Sequence, residues 1–215
     1  MTTAIAPPDR LHFTGDAEAD QLIAADPLAL LIGFALDQQV PVQKAFSGPA
    51  ELRRRLGHLD AQQIAAADPE MLADTFRQRP ALHRFPGAMA GRVQALCAYL
   101  VKEYDGDAAR VWLEASDGAD LRRRLAALPS FGDMKVRSML GILVKRYGLQ
   151  LPGLDEVTPR HPTLGDVDSP EALAEYQAAK RAHKAELRAA DAATGKATRR
   201  LAARARSVAA PDADL

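Results

Sequence analysis

The chain has 215 residues, enough to bury a proper core in one large domain or two small ones. Lys and Arg total 28, as do Asp and Glu, so there is no bulk basic excess and any field that attracts an anion must be local. One cysteine excludes an intrachain disulfide and a cluster ligated by cysteines of a single chain.

A hydrophobic share of 47% with only 5% aromatic residues, rich in Ala, Leu and Arg and without alternating Val/Ile runs, predicts an all-α protein. Met1-Thr2-Thr3-Ala4 lacks the charged start and apolar core of a signal peptide. The apolar run from Pro27 to Leu36 is too short for a bilayer. The expectation is a cytoplasmic monomer with no membrane partner.

In chain order, residues 1–12 read as a flexible lead-in, stopped from helix formation by Pro7-Pro8. Thr14-Gly15-Asp16 opens a short helix, Ala17 to Ala25. Asp26-Pro27 is a capping residue followed by proline at the first helical position, opening a helix from Leu28 to Asp37 that is apolar nearly all round and therefore central. Gln38-Gln39-Val40-Pro41 interrupts, and Val42 to Arg55 is helical again. Asp60 and Asp68-Pro69 each open a short helix. Phe85-Pro86-Gly87 starts a longer one, Ala88 to Glu103, in which Val93, Leu96, Cys97 and Leu100 share a face, so Cys97 reads as a core thiol. Gly106-Asp107 and Ser116-Asp117-Gly118 punctuate two further segments, the second running from Asp120 to Leu128. After a tight turn, Asp133 to Tyr147 is helix and residues 149–168 are an irregular loop. Ser169-Pro170-Glu171 then caps a long polar helix, Ala193 to Ala205 continues as another, and residues 206–215 fray.

The most informative stretch is Leu128-Pro129-Ser130-Phe131-Gly132-Asp133-Met134-Lys135-Val136-Arg137. A helix runs into a Pro-containing turn, and the next helix starts on a glycine. Such a corner turns free backbone N–H groups and the positive end of a helix dipole outward, which suits a phosphate. Gly132 is expected to use positive φ and to let a phosphate approach without a Cβ in the way.

This turn resembles that of the helix-hairpin-helix proteins, Leu-Pro-Gly-apolar-Gly-x-x-x-Ala, with Ser130 at the first glycine and Val136 at the small residue. Leu30 to Val40 resembles the segment of the helix-hairpin-helix DNA glycosylases in which an apolar helix ends in a Gln-Gln pair, and Arg84 to Arg92 resembles their glycine turn into a basic helix. The resemblance extends over residues 28 to 155 and lies nearest a small, cysteine-poor bacterial branch described as base-excision-repair-like. It implies two helical lobes within residues 13–205: one about 28–148, the other the N-terminal helix with about 149–205. It also implies a DNA duplex carrying a damaged base or an abasic site as partner, and a monofunctional glycosylase that hydrolyses the glycosidic bond of a flipped-out base.

By the same resemblance Gln38 and Gln39 lie against the gap left by that base, and Ser130, Phe131, Gly132, Lys135 and Arg137 contact DNA. A carboxylate that stabilises charge on the sugar follows the hairpin by about twenty residues, which selects Asp155, with Glu156 as second choice. Strand-nicking members carry a lysine two residues after the second glycine. That place is Met134 here, and Lys135, turned about 100° further round the helix, is expected to face elsewhere, toward a phosphate. Further cations lie in the C-terminal helices: Lys180, Arg181, Lys184, Arg188, Lys196, Arg199, Arg200, Arg204 and Arg206. His83, His161 and His183 lack metal-ligand spacing, and there is no phosphate-binding glycine motif, so neither metal nor cofactor is expected. Two rival readings stand beside the enzyme: a helix-hairpin-helix DNA-binding protein without catalysis, and a helical interaction protein unrelated to DNA, motivated by the neutral charge.

Overall fold

A computed structural model describes residues 5–182 together with 185 and 186. Among these every regular element is helical, with no strand. It divides into two compact units, Met1–Leu173 and Ala174–Leu215. No single described helix is long and apolar enough to cross a membrane.

Five helices of the first unit open on an aspartate cap, as their sequences require. Asp16, Asp26, Asp60, Asp68 and Asp117 accept first-turn N–H groups at 2.8–2.9 Å and start α1 (Ala17–Ala25), α2 (Pro27–Leu36), α4 (Ala61–Ala66), α5 (Pro69–Arg77) and α8 (Gly118–Ala127). Each cap contributes about 1 kcal/mol relative to alanine. The remaining helices are α3 (Val42–Leu56), α6 (Pro86–Tyr104), α7 (Arg110–Leu113), α9 (Asp133–Lys145) and α10 (Leu154–Val157).

The all-apolar α2 is central: Leu28 to Leu36 are buried, and α2 packs against α1, α3 and α6. Phe46 of α3 meets Phe13 and Phe34 edge-on with ring centroids 5.1 Å apart, and all three are essentially sealed from solvent. Burying each such ring contributes roughly 1.5–3 kcal/mol. On the other side, α4 and α5 pack on α6, whose buried face includes Met89, Val93, Leu96 and Cys97. The Cys97 thiol is fully buried and burial pushes it up to about 12, as a core thiol should behave.

Two details depart from the expected elements. The segment before residue 12 is anchored at its end, where Leu11 is fully buried and donates its N–H to the Asp20 carbonyl at 3.1 Å. Asp20, itself buried, accepts from the Phe13 and Thr14 N–H groups and from the Thr14 hydroxyl, all within 3.1 Å, so its charge is satisfied. The expected loop over 149–168 contains α10 and a 3-10 turn, Leu164–Asp166. Its Pro and Gly residues bound these short elements rather than prevent them. The 3-10 turn packs on α9 so closely that a Cβ on Gly165 would come within 2.3 Å of the Gly141 backbone. Thr163 and Asp166 close a capping box on that turn.

Ser169 caps the helix expected after it, its hydroxyl accepting from the Ala172 N–H at 3.1 Å. The second unit, described over 174–182 with 185 and 186, is helical and carries Tyr176 with the Lys180 ammonium 5.8 Å from its ring. The expected helix from Ala193 to Ala205, the tail beyond it, and the cations Lys184, Arg188, Lys196, Arg199, Arg200, Arg204 and Arg206 lie outside the described residues.

Candidate functional site

Gln38, Arg92, Ser130, Phe131, Gly132 and Lys135 line one open cleft of about 380 Å³. They come from three places: the residues after α2, the middle of α6, and the turn that joins α8 to α9. Five of the six were selected from the sequence. The sixth, Arg92, stands at the end of the basic-helix landmark and was not singled out.

Gln38 is fixed on every side. Its side-chain amide donates to the Ala35 carbonyl at 3.2 Å, and its side-chain oxygen accepts from the Arg92 guanidinium. Its main-chain carbonyl lies 2.9 Å from Nε2 of His83. Nδ1 of that imidazole accepts the Phe85 N–H at 3.1 Å, so Nε2 carries the proton and donates to Gln38. The buried His83 is held below its ordinary pKa, first by burial, with Arg84, Arg92 and Lys44 adding to the effect against the Gln38 bond. The neighbouring Gln39 is exposed and adopts left-handed backbone, φ 57°. Of the glutamine pair, one is a structural pin and the other is the side chain free to reach outward.

At the hairpin the expected backbone role moves by two residues. Gly132 has φ −88° and ψ 172°, extended backbone open to any residue, while Ser130 has φ 68°. The left-handed position of this turn is therefore 130, where the resembled family carries glycine, and serine takes it here at a steric cost. The open approach expected at Gly132 does hold: a Cβ there would meet nothing within 4 Å. Among the described residues no side chain caps α9, which leaves its first-turn N–H groups to other partners. Phe131 is buried against Phe34 with ring centroids 5.8 Å apart, which docks the turn on α2.

Lys135 does not face outward to a phosphate. Its Nζ is withdrawn from solvent under the wall of the cleft, 5.9 Å from the Phe131 ring, with no hydrogen-bond partner among the described residues. Burial is the main cause holding this amine at about 8; Arg92 pushes the same way and Asp37 opposes both. Met134, at the family's lysine position, is instead 65% exposed. Arg137 is outside the cleft and pairs with Asp133 at 2.8 Å; Asp133 also lies 3.3 Å from Arg122.

Asp155 lines a different cavity, of about 490 Å³, with Val144, Leu149, Leu151, Thr158 and Arg160 among its neighbours. It and Glu156 are exposed on α10. The structure thus brings the glutamine turn and the hairpin together and leaves the selected carboxylate elsewhere. The acid whose charge acts on Lys135 is Asp37, the residue that ends α2. No sequence signal distinguished Asp37 from an ordinary helix terminus.

Comparison with protein-family models, with curated proteins and with solved structures finds no match to this chain.

Proposed function

We propose that the chain is a DNA glycosylase of base-excision repair, binding duplex DNA through the α8–α9 hairpin and presenting its cleft to an extruded nucleotide. The observation that carries this reading is the meeting of Gln38, Arg92 and the hairpin at one cleft, although Gln38 and Arg92 stand 54 positions apart in the chain. Those are the three segments that resemble the glycosylase landmarks. Chemically, Gly132 and the uncapped start of α9 offer backbone donors to a phosphate, and Arg92 and Lys135 add cationic character behind them. In this reading the exposed Gln39 side chain enters the vacancy in the base stack. In this reading water cleaves the glycosidic bond.

Fluorescence anisotropy is the first test, comparing an intact duplex with one carrying a tetrahydrofuran abasic analogue across a range of salt. Tighter binding to the abasic duplex, weakening steeply with salt, is the expected result. Absence of binding at low salt removes the DNA reading. Release of damaged bases from a panel of duplexes then separates the enzyme from the non-catalytic DNA-binding protein, a reading favoured by Asp155 lining a different cavity. Asp155→Asn tests that carboxylate directly: base release unchanged by the substitution excludes it from the chemistry.

A further inference from the structure

The histidine that holds the glutamine turn can keep both of its bonds in only one protonation state. His83 is 2% exposed and stands between α5 and α6. Its Nε2–H donates to the Gln38 carbonyl at 2.9 Å, and its Nδ1 accepts the Phe85 N–H at 3.1 Å. One ring therefore ties the turn after α2 to the start of α6. Arg92 of α6 makes a second tie to the same turn, through the Gln38 side-chain oxygen. The exposed Gln39 follows directly in left-handed backbone, φ 57°, so its presentation depends on how Gln38 is held.

A proton added to Nδ1 converts that nitrogen from an acceptor to a donor. It then faces another donor, the Phe85 N–H, and the bond becomes a repulsion. Turning the ring over exchanges its nitrogens for carbons and forfeits both bonds, so the imidazolium does not fit this arrangement. The surroundings oppose the cation as well. Burial is the largest cause holding the ring below its ordinary pKa, and Arg84 before α6, Arg92 on α6 and Lys44 on α3 push the same way against the Gln38 bond. Arg77, which ends α5, is paired with Glu70 and Asp74. The acid in the turn's own sequence is Asp37, one residue before Gln38.

We infer that His83 is a positioning residue and a pH-sensitive latch: its protonation releases the glutamine turn from α6, and the cleft then loses its preference for a duplex with a missing base. The inference rests on the DNA reading above and assigns a regulation to the same cleft. Two parts of binding separate in acid. The backbone donors at Gly132 and the start of α9 do not involve the imidazole, so phosphate contacts persist. The fixed presentation of Gln39, the part that senses the gap, is lost. The folded ring takes up its proton at lower pH than the unfolded one, so the latch is closed above pH 6.5 and opens as the pH falls below that value.

The test follows the ring and the duplex selectivity over one pH range with the full chain. Long-range proton–nitrogen NMR spectra of histidine-labelled protein report the His83 tautomer, and backbone spectra report the Phe85 amide. Fluorescence anisotropy at fixed salt gives the ratio of affinities for a tetrahydrofuran abasic duplex and an intact one, at pH 7.5 and pH 5. The expected result is a neutral Nε2–H ring at pH 7.5, with the ring and the Phe85 amide titrating together below pH 6.5. The affinity ratio should fall about fivefold or more at pH 5. In His83→Gln, whose amide gains no proton in this range, the ratio should be the same at both pH values. Thermal melting checks that this variant folds, and the wild-type outcomes decide alone if it does not. A wild-type ratio that does not change with pH, a ring that stays neutral to pH 5, or an equal fall in folded His83→Gln overturns the latch and leaves the DNA reading intact. Failure to bind, or to prefer the abasic duplex, at pH 7.5 overturns both.

Discussion

Arg55 and Lys135 are both cations drawn out of water, and the fold treats them in opposite ways. The Arg55 side chain is only 3% exposed; it pairs with Glu51 at 2.5 Å and donates to the carbonyls of Thr75, Gln78 and Pro80 at 2.7–3.0 Å. Its planar fork satisfies the chain where α5 ends and holds that end against α3. Lys135 has an equally withdrawn head group and, among the described residues, no hydrogen bond. A buried charge that is fully paired is accounted for by stability, whereas one left unpaired opposes stability and needs another explanation. The difference separates a structural clamp from an amine whose burial stability does not explain.

Substitutions can break this contrast, beginning where the largest effect is expected. Arg55→Ala should cost about 2 kcal/mol in urea unfolding, because it takes the donor from the part-buried Thr75 carbonyl and removes the bonds to Gln78 and Pro80, while Glu51 keeps its bonds from Arg54. A cost below about 1 kcal/mol would place Arg55 with ordinary surface ion pairs instead. Lys135→Met should do the reverse, raising stability by roughly 1–2 kcal/mol at pH 7. The sign follows from linkage. Lys135 is near 8 in the folded chain and 10.5 is its ordinary value, so between those pH values the unfolded chain holds more protons and wild-type stability rises with pH. The advantage of Lys135→Met should therefore shrink between pH 8 and 10.5, and a pH-independent gap would contradict the burial of the amine.

The hairpin sharpens the comparison at smaller scale. Ser130→Gly should stabilise by about 0.5–1 kcal/mol by relieving left-handed backbone. Gly132→Ala should shift stability by less than about 0.5 kcal/mol yet weaken duplex binding, if a phosphate uses the open face there. Equal effects of the two substitutions on melting would refute the assignment of the turn's left-handed position to 130. The smallest effect concerns His83. Its folded pKa lies below 6.5, so its contribution is complete above 6.5 and is lost as pH falls below that value. Melting temperature should drop more between pH 6.5 and 5.5 in the wild type than in His83→Gln, and parallel profiles would exclude a buried neutral imidazole.

Much of the architecture was legible because its signals are local. Aspartate caps, Asp-Pro starts and helical apolar spacing act within a few residues, so the elements from α1 to α9 could be placed from the chain alone. The 3-10 turn was hidden because it depends on its contact with α9 through Gly141 and Gly165, far apart in sequence. Likewise, Asp155 fitted a spacing rule, but spacing along a chain does not state which cavity a short helix faces.

The sequence by itself determined the all-helical class, the central place of α2, the burial of Cys97 and most of the residues that gather at the cleft. Tertiary structure alone decided that Gln38 is pinned by Arg92 and His83, that residue 130 rather than 132 takes the left-handed backbone, and that Lys135 lies inward unpartnered. Helical spacing fixes the angle of a side chain around its own axis, but whether that angle meets water, a partner or neither depends on which other helices pack beside it.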